Sequence, residues 1–322
     1  MNEEFQNQEE EKEEEPVVEF VKPFSTIPPM SAAFIALIGI FLLYQFGGAL
    51  LTIAIFGFKF EEADINSVRL LTMSGQILLM LLPTLIFARY VYQENISFIL
   101  RVKFPSLKEI GIFIVGLILL TPLLQYFLSI QKFALQKLAD VSPFVKNITN
   151  MLDQLDELVE KTYGSLLTSH SVFESSFIIL VVAVIPALCE ETLFRGFVQK
   201  SFEQKLKPFW SIFITALFFG LYHFNPYGLL PLIALGAYFG FAAYASNSIF
   251  VPMILHFINN LLAVLAFFLL GSDELINTAT NKTESLFPQL ISFAMFGTLF
   301  FAYIFYIKTN YNRIVSNKKE VI

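Results

Sequence analysis

Long apolar segments recur along this chain of 322 residues, and they constrain its fold more than any other feature. A helix needs roughly 20 mostly apolar residues to cross the hydrocarbon core of a bilayer. Within lipid, such a helix also satisfies its own backbone hydrogen bonds. Eight segments meet or approach this length: 31–56, 68–90, 109–130, 172–197, 209–224, 228–244, 249–270 and 286–307. The sequence therefore predicts an all-α polytopic membrane protein with about eight transmembrane helices.

Composition supports this prediction. Apolar residues make up 56% of the chain and charged residues only 15%, whereas a soluble domain has about 45–50% and about 25%. A water-soluble fold would expose much of this apolar surface to water, but a membrane protein exposes it to lipid. We therefore expect the lipid bilayer to surround most of the chain. No basic stripe is present, which argues against nucleic-acid binding.

The apolar segments divide the chain into five regions. Residues 1–28 form an acidic tail that should be disordered, and residues 29–131 contain the first three transmembrane segments. Residues 132–171 form an extracytoplasmic loop in which apolar side chains recur at helical spacing beside acidic ones, as in an amphipathic helix. Residues 172–270 contain segments four to seven and the candidate catalytic core. Residues 271–322 contain the last segment and a basic cytoplasmic tail.

Basic residues in the loops predict the orientation of the chain. Lysine and arginine concentrate in the second loop, in the fourth loop and in the C-terminal tail. With eight spans, all three regions lie on one side of the membrane. Because an excess of basic residues marks the cytoplasmic side, we expect both termini to be cytoplasmic.

Segment 172–197 carries three ionisable residues: Glu190, Glu191 and Arg195. A charge at the centre of a membrane helix costs roughly 2.5–3.5 kcal/mol, so intramembrane ionisable residues usually have a function. Glu191 and Arg195 are four residues apart and can pair on one helix face, which we interpret as structural support. Glu190 is turned away by about 100°. Without a cation in an apolar site, its carboxylate holds a proton more tightly, which suits a general base.

His223 is the second polar residue of interest. The turn between segments four and five falls near residues 205–207, and Glu190 and His223 lie at similar distances from it along the chain. In an antiparallel helix pair, such residues lie at similar depth. We therefore expect His223 to face Glu190, although an isolated histidine in an apolar segment is more often a satisfied core residue.

His256 and Asn260 are also four residues apart and share a helix face. Both can donate hydrogen bonds toward one point, which is the arrangement that an oxyanion needs. Asn259 is off this face and is the weaker candidate. His170 lies in a polar stretch and is interpreted as a surface residue. Cys189 is the only cysteine, and the carboxylates beside it disfavour a reactive thiolate, so we interpret it as a packing residue.

Together these residues resemble the CPBP family of intramembrane proteases, also called the Abi or CAAX-protease family. The family pattern is EExxxR, then FxxxH, then HxxxN or HxxxD, each on its own transmembrane helix. The corresponding residues here are Glu190, Glu191 and Arg195, then Phe219 and His223, then His256 and Asn260. The resemblance covers residues 173–270, and the other segments match only in being apolar.

The resemblance implies an endopeptidase that hydrolyses a peptide or a membrane-anchored protein substrate, in a bacterial cytoplasmic membrane. It implies that Glu190 and His223 activate a water molecule and that His256 and Asn260 stabilise the oxyanion. Glu191 and Arg195 would support the site, and Glu191 is also a candidate for proton handling.

Cofactor use and two other functions stay open from the sequence. Glu190, His223 and His256 are the candidate ligands if the enzyme depends on zinc, and the family has been labelled metalloprotease. The HExxH spacing of soluble zinc proteases is absent, and the resemblance favours no cofactor. A non-catalytic family member could act as a bacteriocin-immunity protein or a partner-binding scaffold. A transporter could use Glu190, Glu191 and His223 as a proton relay.

Overall fold

The computed structural model describes residues 24–58, 63–280 and 286–315. Within these ranges the chain is built from helices and contains no strand, which confirms the predicted all-α class. Most of the predicted acidic N-terminal tail and the end of the basic C-terminal tail lie outside the described residues. In chain order the helices are α1 (Pro29–Phe56), α2 (Ile65–Ile99), α3 (Leu107–Val141), α4 (Pro143–Leu167), α5 (Val172–Glu203), α6 (Pro208–Tyr222), α7 (Leu229–Ser246), α8 (Phe250–Thr280) and α9 (Leu286–Val315).

The transmembrane prediction agrees with these helices. In the described part of the chain, 7 helices are long and apolar enough to cross a membrane, and α6 is a shorter apolar helix of 15 residues. All eight apolar segments of the sequence are therefore helical. The helix outside this set is α4, which follows α3 in the region predicted to form an amphipathic helix.

Helix α3 is longer than the sequence predicted. We expected the third span to end near residue 130, but α3 continues without a break to Val141. Although α3 contains Pro122, neither proline nor glycine occurs between residue 130 and Ser142. The chain then turns into α4 at Ser142 and Pro143. Ser142 then caps α4 by accepting a hydrogen bond from the Val145 amide, as serine commonly does at a helix N-terminus.

Three of the helices contain π-helical turns. These turns lie at Leu43–Gly47 in α1, at Ile77–Leu81 in α2, and at Leu180–Val184 and Thr192–Val198 in α5. Such turns are rare and are frequent at functional sites. The two turns of α5 lie on either side of Glu190, so they set the direction in which the helix presents this carboxylate.

The bundle is packed most closely around α5. Every residue of the turn Thr192–Val198 is buried. Helices α6 and α7 form an antiparallel hairpin against it, and Gly236 of α7 faces both α5 and α6. A Cβ atom on Gly236 would be 2.9 Å from Phe219 and 3.3 Å from Arg195. Small residues of this kind allow membrane helices to approach each other closely.

Arg101, in the loop after α2, has a different role from the one its loop position predicted. We counted it among the loop charges that set orientation, but its side chain is only 2% exposed. It pairs with Glu203 and donates to the carbonyl oxygens of Arg195 and Ala243, at 3.1 Å and 3.2 Å. Burial lowers the pKa of Arg101, and Glu203 opposes this shift. Arg101 therefore joins α5 and α7 at one end of the bundle.

Candidate active site

Helix α5 presents a fully buried ion pair. The Arg195 guanidinium donates from Nη1 to Oε1 of Glu191 at 2.7 Å, and neither side chain is exposed. Its Nη2 donates to the Gly236 carbonyl at 3.0 Å, and its central carbon lies 4.3 Å from the centroid of the Phe219 ring. Hydrogen bonds and the aromatic face together compensate the buried cation. The i, i+4 contact is the one that the sequence predicted.

His256 of α8 contacts the same carboxylate. Its Nδ1 lies 2.7 Å from Oε1 of Glu191, and the residue is 3% exposed. The imidazole is stacked on Phe239, with ring centroids 5.5 Å apart. Glu191 therefore bridges Arg195 and His256, which fixes the imidazole in one orientation. Sequence spacing gave no signal of this bridge, because the two residues are 65 positions apart.

Glu190, within α5, faces His223, which directly follows the C-terminal end of α6. His223 Nε2 lies 3.8 Å from Oε2 of Glu190, and the two side chains are 23% and 12% exposed. The other ring nitrogen, Nδ1, lies 2.7 Å from the Phe219 carbonyl oxygen. A carbonyl oxygen can only accept, so Nδ1 carries a proton, and in the neutral imidazole Nε2 then presents a lone pair toward Glu190.

The Oε2 atom of Glu190 is buried and has no hydrogen-bond partner among the described residues. A separation of 3.8 Å from His223 is too long for a direct hydrogen bond. It suits a water molecule that donates to both groups at once. A buried acceptor without a hydrogen bond lowers the stability of the folded state by about 1–3 kcal/mol. A hydrogen bond from water or substrate to this oxygen would therefore be favourable.

Phe219, the aromatic residue of the second motif, lies between the polar residues. Its ring centroid is 4.7 Å from that of His223 and 6.0 Å from that of His256. The Phe219 ring also contacts the Arg195 guanidinium. The Phe219 ring therefore contacts the guanidinium of the buried ion pair and both imidazoles.

The two asparagines of α8 lie differently from the sequence-based expectation. We expected His256 and Asn260 to donate toward one point. In the structure, Asn260 donates to the Val182 carbonyl of α5 at 3.0 Å, whereas His256 contacts Glu191. Asn259 donates to Asn260 at 3.2 Å and lines the cavity beside His223. One amide hydrogen of Asn260 and the Nε2 atom of His256 are left for other contacts.

A cavity of about 470 Å³ opens beside His223. Helices α3, α4, α7 and α8 and the α6–α7 loop form its wall. Its polar lining residues are Thr121, Gln125, Tyr163, His223, Asn225 and Asn259. Its volume falls within the range of about 300–1,000 Å³ that is common for small-ligand sites. His223 lines this cavity and Glu190 does not, so the cavity adjoins the Glu190–His223 pair on the side of His223.

Two tyrosines near Glu190 had no signal in the sequence. Tyr44, from the π-helical turn of α1, lies within electrostatic reach of Glu190 and Tyr163. Tyr163 is on α4, where burial and the Glu190 carboxylate raise the pKa of its phenol. Neither residue belongs to a motif, because helices that are distant in the chain bring them to the site.

The remaining sequence candidates lie outside this arrangement. Cys189 is fully buried in the apolar core, which agrees with a packing role. The His170 amide donates to Glu174 at the start of α5, far along the helix from Glu190. Neither residue contributes to the cavity.

The proposed zinc ligands do not converge. Among the described residues, no three His, Cys, Asp or Glu side chains are grouped as metal ligands. The Nδ1 atom of His256 is directed at Glu191, whereas His223 faces Glu190. A structural or catalytic zinc ion needs at least three protein ligands. The donor set therefore does not fit zinc, and we derive no step through a metal.

Comparison with known families gives one match. Residues 172–262 match the family described as Rce1-like, type II CAAX prenyl endopeptidase Rce1-like. The match begins where α5 begins and contains all three motifs, and it confirms the resemblance of this segment to the CPBP/CAAX-protease family. At the level of the family, it supports a CAAX-type intramembrane endopeptidase. No curated protein and no solved structure matches the chain.

Proposed function

We propose that this protein is an intramembrane endopeptidase in which Glu190 and His223 activate a water molecule. The observation that carries the proposal is the geometry of this pair. A buried carboxylate oxygen without a hydrogen-bond partner lies 3.8 Å from an imidazole nitrogen that presents its lone pair. A water molecule between them would be polarised by two acceptors and would lie beside the cavity.

The reaction follows from these positions. The water oxygen bonds to the carbonyl carbon of the substrate, and one water proton passes to the Glu190 carboxylate. The carbonyl π electrons move to oxygen and form a tetrahedral oxyanion. When this intermediate collapses, the carbon–nitrogen bond breaks and Glu190 returns the proton to the leaving amine. His223 orients the water through Nε2, because the Phe219 carbonyl holds its Nδ1–H.

Two donors on α8 would stabilise the oxyanion. His256 gives its Nδ1–H to Glu191, so it can donate from Nε2 only as the imidazolium cation. Asn260 has a second amide hydrogen beyond the one bound to Val182. Preorganised donors of this kind typically contribute 100- to 1000-fold to turnover.

The substrate we propose is a peptide or a membrane-anchored protein. The matched family is described by its action on CAAX prenyl proteins, so lipid-modified C-terminal peptides are the first class to test. Three of the four helices that line the cavity, α3, α7 and α8, are membrane-spanning candidates, and we propose that a substrate segment enters the cavity between them. The proposal requires no cofactor.

The test replaces the proposed base. We expect Glu190→Gln to abolish cleavage of internally quenched peptides by the purified protein in nanodiscs, while its thermal unfolding stays like that of the wild type. Mass spectrometry of whole membranes from cells with either protein should then show fragments only with the wild type. Glu94→Gln is the matched control, because the Glu94 side chain is 88% exposed.

The same experiment separates the proposal from its alternatives. Normal cleavage by Glu190→Gln would exclude Glu190 as the base. Identical membrane proteomes, with both proteins well expressed, would favour a non-catalytic immunity or scaffold protein.

A further inference from the structure

Helix α4 brings a tyrosine into the wall of the catalytic cavity. Val159 and Tyr163, one helical turn apart, line the cavity together with His223 and Asn259. Tyr163 is 48% exposed, so much of its ring is open to a molecule in this space. Its hydroxyl makes no hydrogen bond with another described residue. A phenol group is therefore available for a ligand in the cavity.

The charge of Glu190 reaches this hydroxyl. The ring of Tyr163 is partly exposed, but its hydroxyl end is surrounded by protein, and this burial together with the Glu190 carboxylate raises the pKa of the phenol. Both effects keep the phenol neutral, so it presents an O–H donor to the cavity. Glu190 and His223 present acceptors at the same site. The cavity thus has acceptors near the reacting water and a donor on the facing helix.

The end of α4 that carries Tyr163 is firmly held. The guanidinium of Arg69, on α2, donates to the Leu166 carbonyl at 2.9 Å and to the Thr168 carbonyl. Arg69 is completely buried. A basic side chain bound to the last carbonyls of a helix satisfies groups that would otherwise lack partners. Tyr163 lies within a turn of this contact, so its position is defined.

The middle of α4 is held to the loop that follows His223. The Tyr227 hydroxyl donates to Asp153, and Lys132 of α3 pairs with Asp156 at 3.3 Å. Lys132 also lies 4.9 Å above the Tyr227 ring. These contacts connect α4 to the segment that positions His223. The helix is therefore part of the wall of the site.

We propose that Tyr163 is a substrate-binding residue, whose hydroxyl donates to a backbone carbonyl of the bound peptide and whose ring limits the side chain beside the scissile bond. An extended peptide in a cavity poor in water must find partners for its backbone groups. Helix α4 lies outside the matched residues 172–262, so the family match does not include this contact. The proposal rests on the peptidase function proposed above.

The test measures KM and kcat separately. The probes are internally quenched peptides, S-farnesylated or unmodified, that carry alanine, valine or phenylalanine after the modified cysteine. We expect Tyr163→Phe to raise KM about 10-fold, the effect of one lost hydrogen bond, with kcat within about 2-fold. Tyr163→Ala should also lose the discrimination among the three residues. The control is Tyr306→Phe, because Tyr306 is exposed on α9, away from the cavity.

Unchanged KM and unchanged discrimination in both folded Tyr163 variants would overturn the proposal. Cleavage by Glu190→Gln, or no cleavage by the wild type, would instead contradict the peptidase function. If the peptidase function is contradicted, or if Tyr163→Ala does not fold, the peptide contact is tested with a photoreactive phenylalanine at position 163. In the Glu190→Gln protein, crosslinking of the same peptides to position 163 but not to position 306 would support the proposed contact. Absence of crosslinking at position 163 would overturn the proposal.

Discussion

Glu191 is the residue on which the buried charges of the site meet. Its Oε1 atom lies 2.7 Å from Arg195 Nη1 and 2.7 Å from His256 Nδ1. Removing one member of a buried ion pair leaves an uncompensated charge and costs about 3–5 kcal/mol. Because Glu191 also contacts His256, removing Glu191 and removing Arg195 should have unequal effects on stability. Without Arg195, the carboxylate keeps His256, whereas Arg195 and His256 both lose their partner without Glu191.

We therefore expect Glu191→Gln to lower thermal stability and membrane yield more than Arg195→Gln does. Thermal unfolding of the purified variants in detergent measures the difference. Glu94→Gln, in the exposed pair with Arg89, is the control and should change stability by less than about 1 kcal/mol. Equal losses, or a larger loss for Arg195→Gln, would show that His256 does not share the carboxylate charge.

The sequence predicted contacts between residues only where local geometry determines them. The spacing of four residues predicted the Glu191–Arg195 pair, and equal distances from one turn predicted that Glu190 faces His223. The contacts of His256 with Glu191 and of Tyr163 with the cavity depend on how separate helices rotate about their axes. No spacing in the chain records these rotations, so the two contacts were missed.

At the scale of helices, the approach of α7 to α5 and α6 determines the geometry of the site. Gly236 accepts the Arg195 hydrogen bond through its carbonyl, and its Cα faces Phe219. The same phenylalanine supports His223 through its carbonyl and its ring. A side chain at position 236 would therefore press on the residue that orients His223.

Gly236→Ala should reduce both stability and peptide cleavage. The new Cβ would lie 2.9 Å from the Phe219 ring, and overpacking of this kind costs about 1–3 kcal/mol. Gly111→Ala in α3 is the control, because no atom lies within 4 Å of its new Cβ. It should leave stability unchanged or improve it by up to about 1 kcal/mol. Equal thermal unfolding and equal kcat/KM for both variants would contradict the close-packing argument.

The existence of the helices was easier to predict than their internal form. Apolar length identified the seven helices that are long enough to span a bilayer, and apolar composition identified the shorter α6. The π-helical turns in α1, α2 and α5 have no comparable signal, because packing against neighbouring helices stabilises the inserted residue. The end of α3 was placed too early, since lipid thickness sets the length of a span but does not stop a helix.

At the scale of the whole molecule, two buried arginines change the charge count that predicts orientation. Arg101 and Arg69 are at opposite ends of α2, and both are fully engaged in structural contacts. One basic residue is thus removed from each side, so the difference between the two sides is preserved. The excess of basic residues still lies on the side of the α5–α6 loop. The prediction that both termini are cytoplasmic therefore rests on the same excess of basic residues as before.

This orientation places α4 and the α5–α6 loop on opposite sides of the membrane, because α5 connects them across the bilayer. In a Cys189→Ser background, which removes the buried native thiol, we expect a membrane-impermeant maleimide to label Lys146→Cys in intact spheroplasts. Lys205→Cys should be labelled only after permeabilisation. Both positions are exposed, so access through the membrane is the only difference measured. With the eight spans predicted from the sequence, the reverse pattern would place both termini outside. Helix α4 and the cavity beside it would then lie on the cytoplasmic side.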